Sequence, residues 1–179
     1  LGHTTWFFEA FVLKPYCQGY QLFHPDFAFV FNSYYETEGK RVVRAQRGNL
    51  SRPSVREVYA YRQYVTEQLV GLLEHDRPPE VHGLVETGIQ HEQQHQELLL
   101  TDIKFILGNN PLLPAYGDVG IVEHPLLKDA PQWLEVPGGI YPIGHGGGGF
   151  CFDNECQRHE VLLRDFEICS QPVRNRDMM

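Results

Sequence analysis

The strongest constraint on this chain is a helical periodicity over residues 54–107 that a proline pair divides in two. Ser54 and Glu57 in "SVRE" form a capping box just after Pro53, which marks a helix start. Val55, Val58, Tyr61, Val65, Leu69 and Leu72 then trace an apolar stripe at helical spacing. Pro78-Pro79 closes that segment and opens the next, predicted from about Glu80 to Leu107. Proline lacks the N–H that a helix interior needs, yet it fits the first helical position. "GNNP", Gly108 to Pro111, supplies a glycine stop followed by proline. Two more helical segments come earlier. In "HTTWFFEAFVL", His3, Phe7 and Phe11 share a face, and Pro15 limits its end. The second runs roughly from Pro25 to Glu38 and is stopped by Gly39. Four amphipathic helices with no strand pattern between them predict a mainly α fold, a four-helix bundle over residues 1–110.

After Pro111 the pattern changes. Residues 111–132 are proline-rich and irregular, which predicts a linker. From Trp133, "WLEVPGGIYPIGHGGGGFCFDNECQRHEVLLRDFEICSQPV" alternates short β-rich runs with glycine turns. Residues 133–179 therefore predict the opening of a second, mostly β domain, truncated before a sheet-based fold can close, or else an appended arm. "GHGGGG" lacks the helix start and the Lys-Ser/Thr of a phosphate loop, so no phosphate site is expected there.

Composition excludes several classes. With 179 residues, 42% of them hydrophobic, the chain can bury a core. A formal charge of −8 and the lack of a basic run argue against a nucleic-acid partner. No apolar run approaches the ~20 residues of a membrane span. Cys17, Cys151, Cys156 and Cys169 match neither a disulfide framework nor a C-x-x-C metal knuckle, so free thiols in a reducing cytoplasm are expected.

The chemistry concentrates in "IQHEQQHQELLLTDIKFIL". His91 and His95 lie four apart on one helical face and can chelate one ion. Leu98, Leu99 and the stretch from Asp102 to Ile106 continue that face, so the pair is expected to point into the bundle. The plainer alternative is two buried histidines hydrogen-bonded to carboxylates. The polar run of Glu92, Gln93, Gln94, Gln96 and Glu97 beside a core stripe favours a metal site. A third ligand is then needed. His24 and His75 read as loop residues, and His82 faces the opposite side of the helix. His3, on the apolar stripe of the first helix, is the best candidate. Three neutral imidazoles suit Fe(II), Zn(II), Ni(II) or Cu(II) and leave positions open for catalysis. H-E-x-x-H is also the zinc-protease signature, with Glu92 as base. The stretch that follows has no third histidine and no H-x-x-G-x-x-H, which argues against a peptidase.

"HTTWFFEAFVL", "FNSYYE", "RGNLSRPSVREVYAYR", "HEQQHQELLLTDIK" and "VPGGIYPIG" with "GFCFDNE" occur in this order along nearly the whole chain. Together they resemble the ergothioneine-pathway sulfoxide synthases (EgtB-type enzymes). The resemblance implies a DinB-like helix bundle followed by a formylglycine-generating-enzyme-like domain of the C-type-lectin kind. It implies a mononuclear non-heme iron on His3, His91 and His95. The implied reaction joins γ-glutamylcysteine or cysteine to the imidazole of N-α-trimethylhistidine (hercynine) with O2, giving a C–S bond and a sulfoxide. Arg44 and Arg47 in "RAQRG" are the implied grips on the thiol substrate's carboxylates, a task suited to the arginine fork. Gln94, between the iron histidines, is implied to face the trimethylhistidine. The wording "HTTWFFE" favours this branch over the ovothiol-pathway enzymes, which act on histidine and cysteine. "NECQRHEV" and "PVRNRDMM" depart from the family's wording, and no residue here takes the role of its proton-donating tyrosine. Two alternatives stand beside this expectation. One is a DinB-like metal-dependent thiol transferase or hydrolase using zinc or nickel. The other is an inactive metal-binding fragment.

Overall fold

Why the first helix is central follows from its composition. In the computed structural model, which describes residues 1–32, 35, 39, 42–117, 130–173 and 178 (the side chains of Arg44 and Arg47 excepted), helix α1 spans Gly2–Phe8. Thr4, Thr5, Trp6, Phe7 and Phe8 are all buried, so α1 is wrapped by protein on every side. The two threonine hydroxyls donate to the Leu1 carbonyl and so need no water. A π turn, Glu9–Leu13, follows without a break, and the short helix α2, Lys14–Tyr16, continues it. Pro15 was expected to limit the first helix, yet it lies within this helical path. The Lys14 N–H reaches back five residues to the Glu9 carbonyl. That change of register restarts the helix, so Pro15 falls in a first turn, where its missing N–H is harmless.

The π turn begins at a buried carboxylate. Glu9 is 2% exposed and accepts three hydrogen bonds: from the Tyr20 hydroxyl at 2.7 Å, the Tyr61 hydroxyl at 2.6 Å and the Phe23 N–H at 3.4 Å. Burial, reinforced by Glu9, pushes both tyrosine hydroxyls far above their ordinary pKa, so both keep the proton they donate. A carboxylate in a core is tolerable only when its lone pairs are occupied in this way.

The second predicted helix is much shorter than expected. Helix α3 covers only Phe27–Phe31 and ends in an extended Asn32. Asn32 is buried, and its side chain exchanges two hydrogen bonds with the Tyr35 backbone, at 2.7 and 2.9 Å. Such a local side-chain bond competes with the helix ladder and terminates it. Residues 33, 34 and 36–38 of the predicted helix lie outside the described residues. In the connection that follows, Arg44–Asn49 form a 3-10 turn.

Helix α4, Val55–Leu73, starts at the predicted capping box, with Ser54 Oγ accepting the Glu57 N–H and Glu57 accepting the Ser54 N–H. Tyr61, Val65 and Leu72 of its stripe are buried, whereas Val55, in the first turn, is 73% exposed. Helix α5, Pro79–Gly108, runs for 30 residues from the predicted proline start. Helix α1 packs against α3, α4 and α5. At Gly88 an added Cβ would collide with the Phe8 ring, so only glycine allows α5 to lie this close to α1.

One expectation about α5 is overturned. Leu98, Leu99, Leu100, Phe105 and Ile106 are exposed, so the stripe beyond the histidines does not run inward. Length explains it: at 1.5 Å per residue α5 extends about 45 Å and α4 about 28 Å, so α5 outlasts its neighbours.

The chain divides into two compact units, Leu1–Pro114 and Ala115–Met179. The second contains two small antiparallel sheets. Strand β1 (Trp133–Val136) pairs with β4 (Phe166–Cys169), and β2 (Gly139–Ile143) pairs with β3 (His159–Leu163). The short helix α6, Asp153–Cys156, lies in the β2–β3 connection. Gly144, at φ +103°, turns the chain there, and an added Cβ would press on the Arg158 backbone. Among the described residues of this unit none is fully buried. No described helix is long and apolar enough to cross a membrane. The chain is thus mainly α, with a small two-sheet β region.

Candidate metal centre

Helix α1 presents His3, and α5 presents His91 and His95 one turn apart, on the side where Gly88 lets the two helices meet. The three rings converge. Their centroids are 5.0 Å apart for His3–His91, 4.9 Å for His3–His95 and 4.7 Å for His91–His95. One ligand nitrogen from each lies within 4.8 Å of the other two. No other group of three or more His, Cys, Asp or Glu with metal-binding proximity occurs among the described residues.

The tautomer of His3 can be argued from its partner. His3 Nδ1 is 2.8 Å from the Phe31 carbonyl, which can only accept, so Nδ1 carries the hydrogen. Nε2 then carries a lone pair. Phe31 has a spare carbonyl because α3 stops there, and the last carbonyls of a helix have no partner inside it. The early end of α3 therefore supplies a hydrogen bond that orients this candidate ligand.

On α5, His91 Nε2 and His95 Nε2 are 3.1 Å apart. Two nitrogens bound to one ion at about 2.0–2.1 Å, with bond angles of 90–110°, lie about 2.9–3.4 Å from each other. The observed spacing fits. His91 Nδ1 is buried and has no hydrogen-bond partner. Burial, followed by the His3 and His95 rings, lowers the His91 pKa from 6.5 to about 4. Burial also lowers the His95 pKa. Both rings are neutral near pH 7, the form that binds a metal. The donor set, nitrogen spacing and protonation state all fit a divalent ion.

Glu92 is ion-paired. Its carboxylate lies 2.8 Å from Arg62 of α4. In the protease reading this ion-paired carboxylate would have to serve as the general base. His24, His75 and His82 are exposed, and His24 stacks on Phe27. Gln94 is exposed on α5. Arg44 and Arg47 belong to the 3-10 turn, and their side chains lie outside the described residues.

Sequence reasoning missed three features. The Phe31 carbonyl has no signature, because a backbone acceptor is defined by where a helix ends. Arg52 lines a cavity of about 170 Å³ with His3, Phe31, Asn32, Val30, Val42 and Leu50. Its position in "NLSRP" reads only as a residue before a proline. Cys151 and Cys156, which match no spacing rule, have their sulfurs 3.4 Å apart.

Comparison with protein-family models finds no match, and comparison with curated proteins finds none either.

Proposed function

We propose that this chain holds a mononuclear non-heme iron(II) on His3, His91 and His95 and serves the sulfoxide synthase reaction of ergothioneine biosynthesis. In that reaction a thiol, γ-glutamylcysteine or cysteine, is joined to the imidazole of N-α-trimethylhistidine with O2. The observation that carries the metal half is the convergence of three imidazoles from two helices, with the α5 nitrogens spaced as two ligands of one ion. The reaction itself rests on the five ordered stretches of sequence.

Iron(II) bound there would supply affinity for a thiolate and for O2. The chain's own residues do the rest. Phe31 fixes the His3 ring through Nδ1, so the ligand need not reorganise when the ion arrives. Arg44 and Arg47 are proposed to hold the thiol substrate by its carboxylates, each with a two-pronged guanidinium contact. Arg52 is a third candidate, supported by the cavity it shares with His3. Gln94 is proposed to reach the trimethylhistidine. Holding both substrates in register converts an encounter of two partners into a local reaction.

The test is metal content after anaerobic loading with Fe(II), on the unaltered chain and on His91→Ala. About one iron per chain, lost in the variant, supports the triad. O2 consumption that needs both trimethylhistidine and the thiol then supports the reaction. Zinc or nickel retained in preference to iron, with no O2 uptake, would favour the DinB-like transferase or hydrolase. Equal metal in both proteins would remove the site altogether.

A further inference from the structure

A second reactive feature lies in the β-containing unit, and it does not depend on the iron reading. We propose that Cys151 and Cys156 form a redox-active dithiol, which closes to an intramolecular disulfide by exchange with a small-molecule disulfide.

The geometry rests on contacts that involve neither sulfur. Cys151 precedes α6 and Cys156 ends it, so the short helix folds the chain back on itself. The Glu155 N–H donates to the Phe152 carbonyl at 2.9 Å, and the Phe152 N–H donates to the Glu155 carboxylate at 2.9 Å. The His145 N–H donates to the Glu155 carbonyl at 2.8 Å and ties this turn to the start of the β2–β3 connection. Gly144 packs against the Arg158 backbone just beyond it. The two sulfurs end 3.4 Å apart, and a disulfide needs ~2.0 Å. Side-chain rotation of two surface residues can cover that difference without unfolding the turn. The other two cysteines stand in different settings. Cys17 packs against the core of the helical unit, and Cys169 ends strand β4 opposite Trp133.

Access and chemistry assign an order. Cys156 is exposed and Cys151 is half-buried. The hydrogen bond shared with Cys156 holds the Cys151 thiol above its ordinary pKa, which makes it the poorer first nucleophile. Cys156 therefore meets the incoming disulfide. Its thiolate attacks one sulfur of the small disulfide, forming a mixed disulfide and releasing one small thiolate. Cys151 loses its proton and attacks the Cys156 sulfur of that mixed disulfide, expelling the second small thiol. Two protein thiols lose two electrons and two protons, and the small disulfide gains both as two thiols.

The full chain would be equilibrated in glutathione buffers of rising oxidised fraction, quenched with acid, alkylated and mapped by mass. The expected product has lost two hydrogens, carries a Cys151–Cys156 crosslink and keeps Cys17 and Cys169 alkylated. Cys151→Ser should stop at one glutathione on Cys156, because no neighbouring thiol can resolve it. Four alkylated cysteines at every buffer composition would overturn the proposal. Glutathione adducts that persist in the unaltered chain would do the same, as would a crosslink to Cys17 or Cys169.

Discussion

His91 has one nitrogen facing His95 and the other sealed in protein without a partner, so a proton on it is costly. Its pKa falls from 6.5 to about 4 on folding. The unfolded chain then takes up a proton near pH 6.5 that the folded chain refuses until about pH 4. In the metal-free protein this group lowers stability as pH falls through that window and adds no further loss below it. Urea midpoints measured across the window should fall, and His91→Leu should flatten part of the slope. An unchanged slope in that variant would assign the effect to other groups. Glu9 makes a second residue-scale prediction. Tyr61→Phe removes one of the donors to a buried carboxylate and should cost about 1–3 kcal/mol, read by urea denaturation. A loss near zero would mean that water replaces the hydroxyl.

Elements fix the histidines relative to one another. Gly88 sits one turn before His91 on α5, and Phe8 sits on α1 with His3. Gly88→Ala places a methyl group in the Phe8 ring and forces the helices apart. Overpacking of this kind costs about 1–3 kcal/mol. Metal affinity should fall with it, because His3 belongs to one helix and the other two histidines to the second. Ser54→Ala is the contrasting case. It removes the α4 cap and should cost about 1 kcal/mol, with metal affinity unchanged since α4 carries no ligand. Titration of both variants with Fe(II) separates them. Equal affinities in the two would show that the α1–α5 approach does not set the site.

At the scale of the molecule, the three candidate ligands and the aromatic core all belong to Leu1–Pro114. A chain ending at Pro114 should therefore bind metal as the full chain does. Metal at a hundredfold excess over its Kd should stabilise that piece by about 2.7 kcal/mol, visible as a rise in Tm. Loss of binding on truncation would mean that residues 115–179 are needed to form or hold the site. Substrate turnover is a separate matter, and the same truncated chain, loaded with iron, can be tested for O2 uptake.

Much of this was legible in order along the chain. The capping box, the proline start of α5 and the i, i+4 histidines are local signals, set by backbone hydrogen bonding and helical period within a few residues. His3 could be nominated because it shares a stripe with Phe7 and Phe11. The end of α3 could not be read, because Asn32 stops it by bonding to Tyr35 in a buried setting that local propensity does not reveal. Nor could the exposed half of α5, which depends on where its neighbours stop. The Cys151–Cys156 contact depends on how α6 returns the chain. Sequence alone determined where α4 and α5 start and which residues carry side chains able to ligate. Tertiary structure decided which of them meet, because such meetings depend on contacts between residues far apart in the chain.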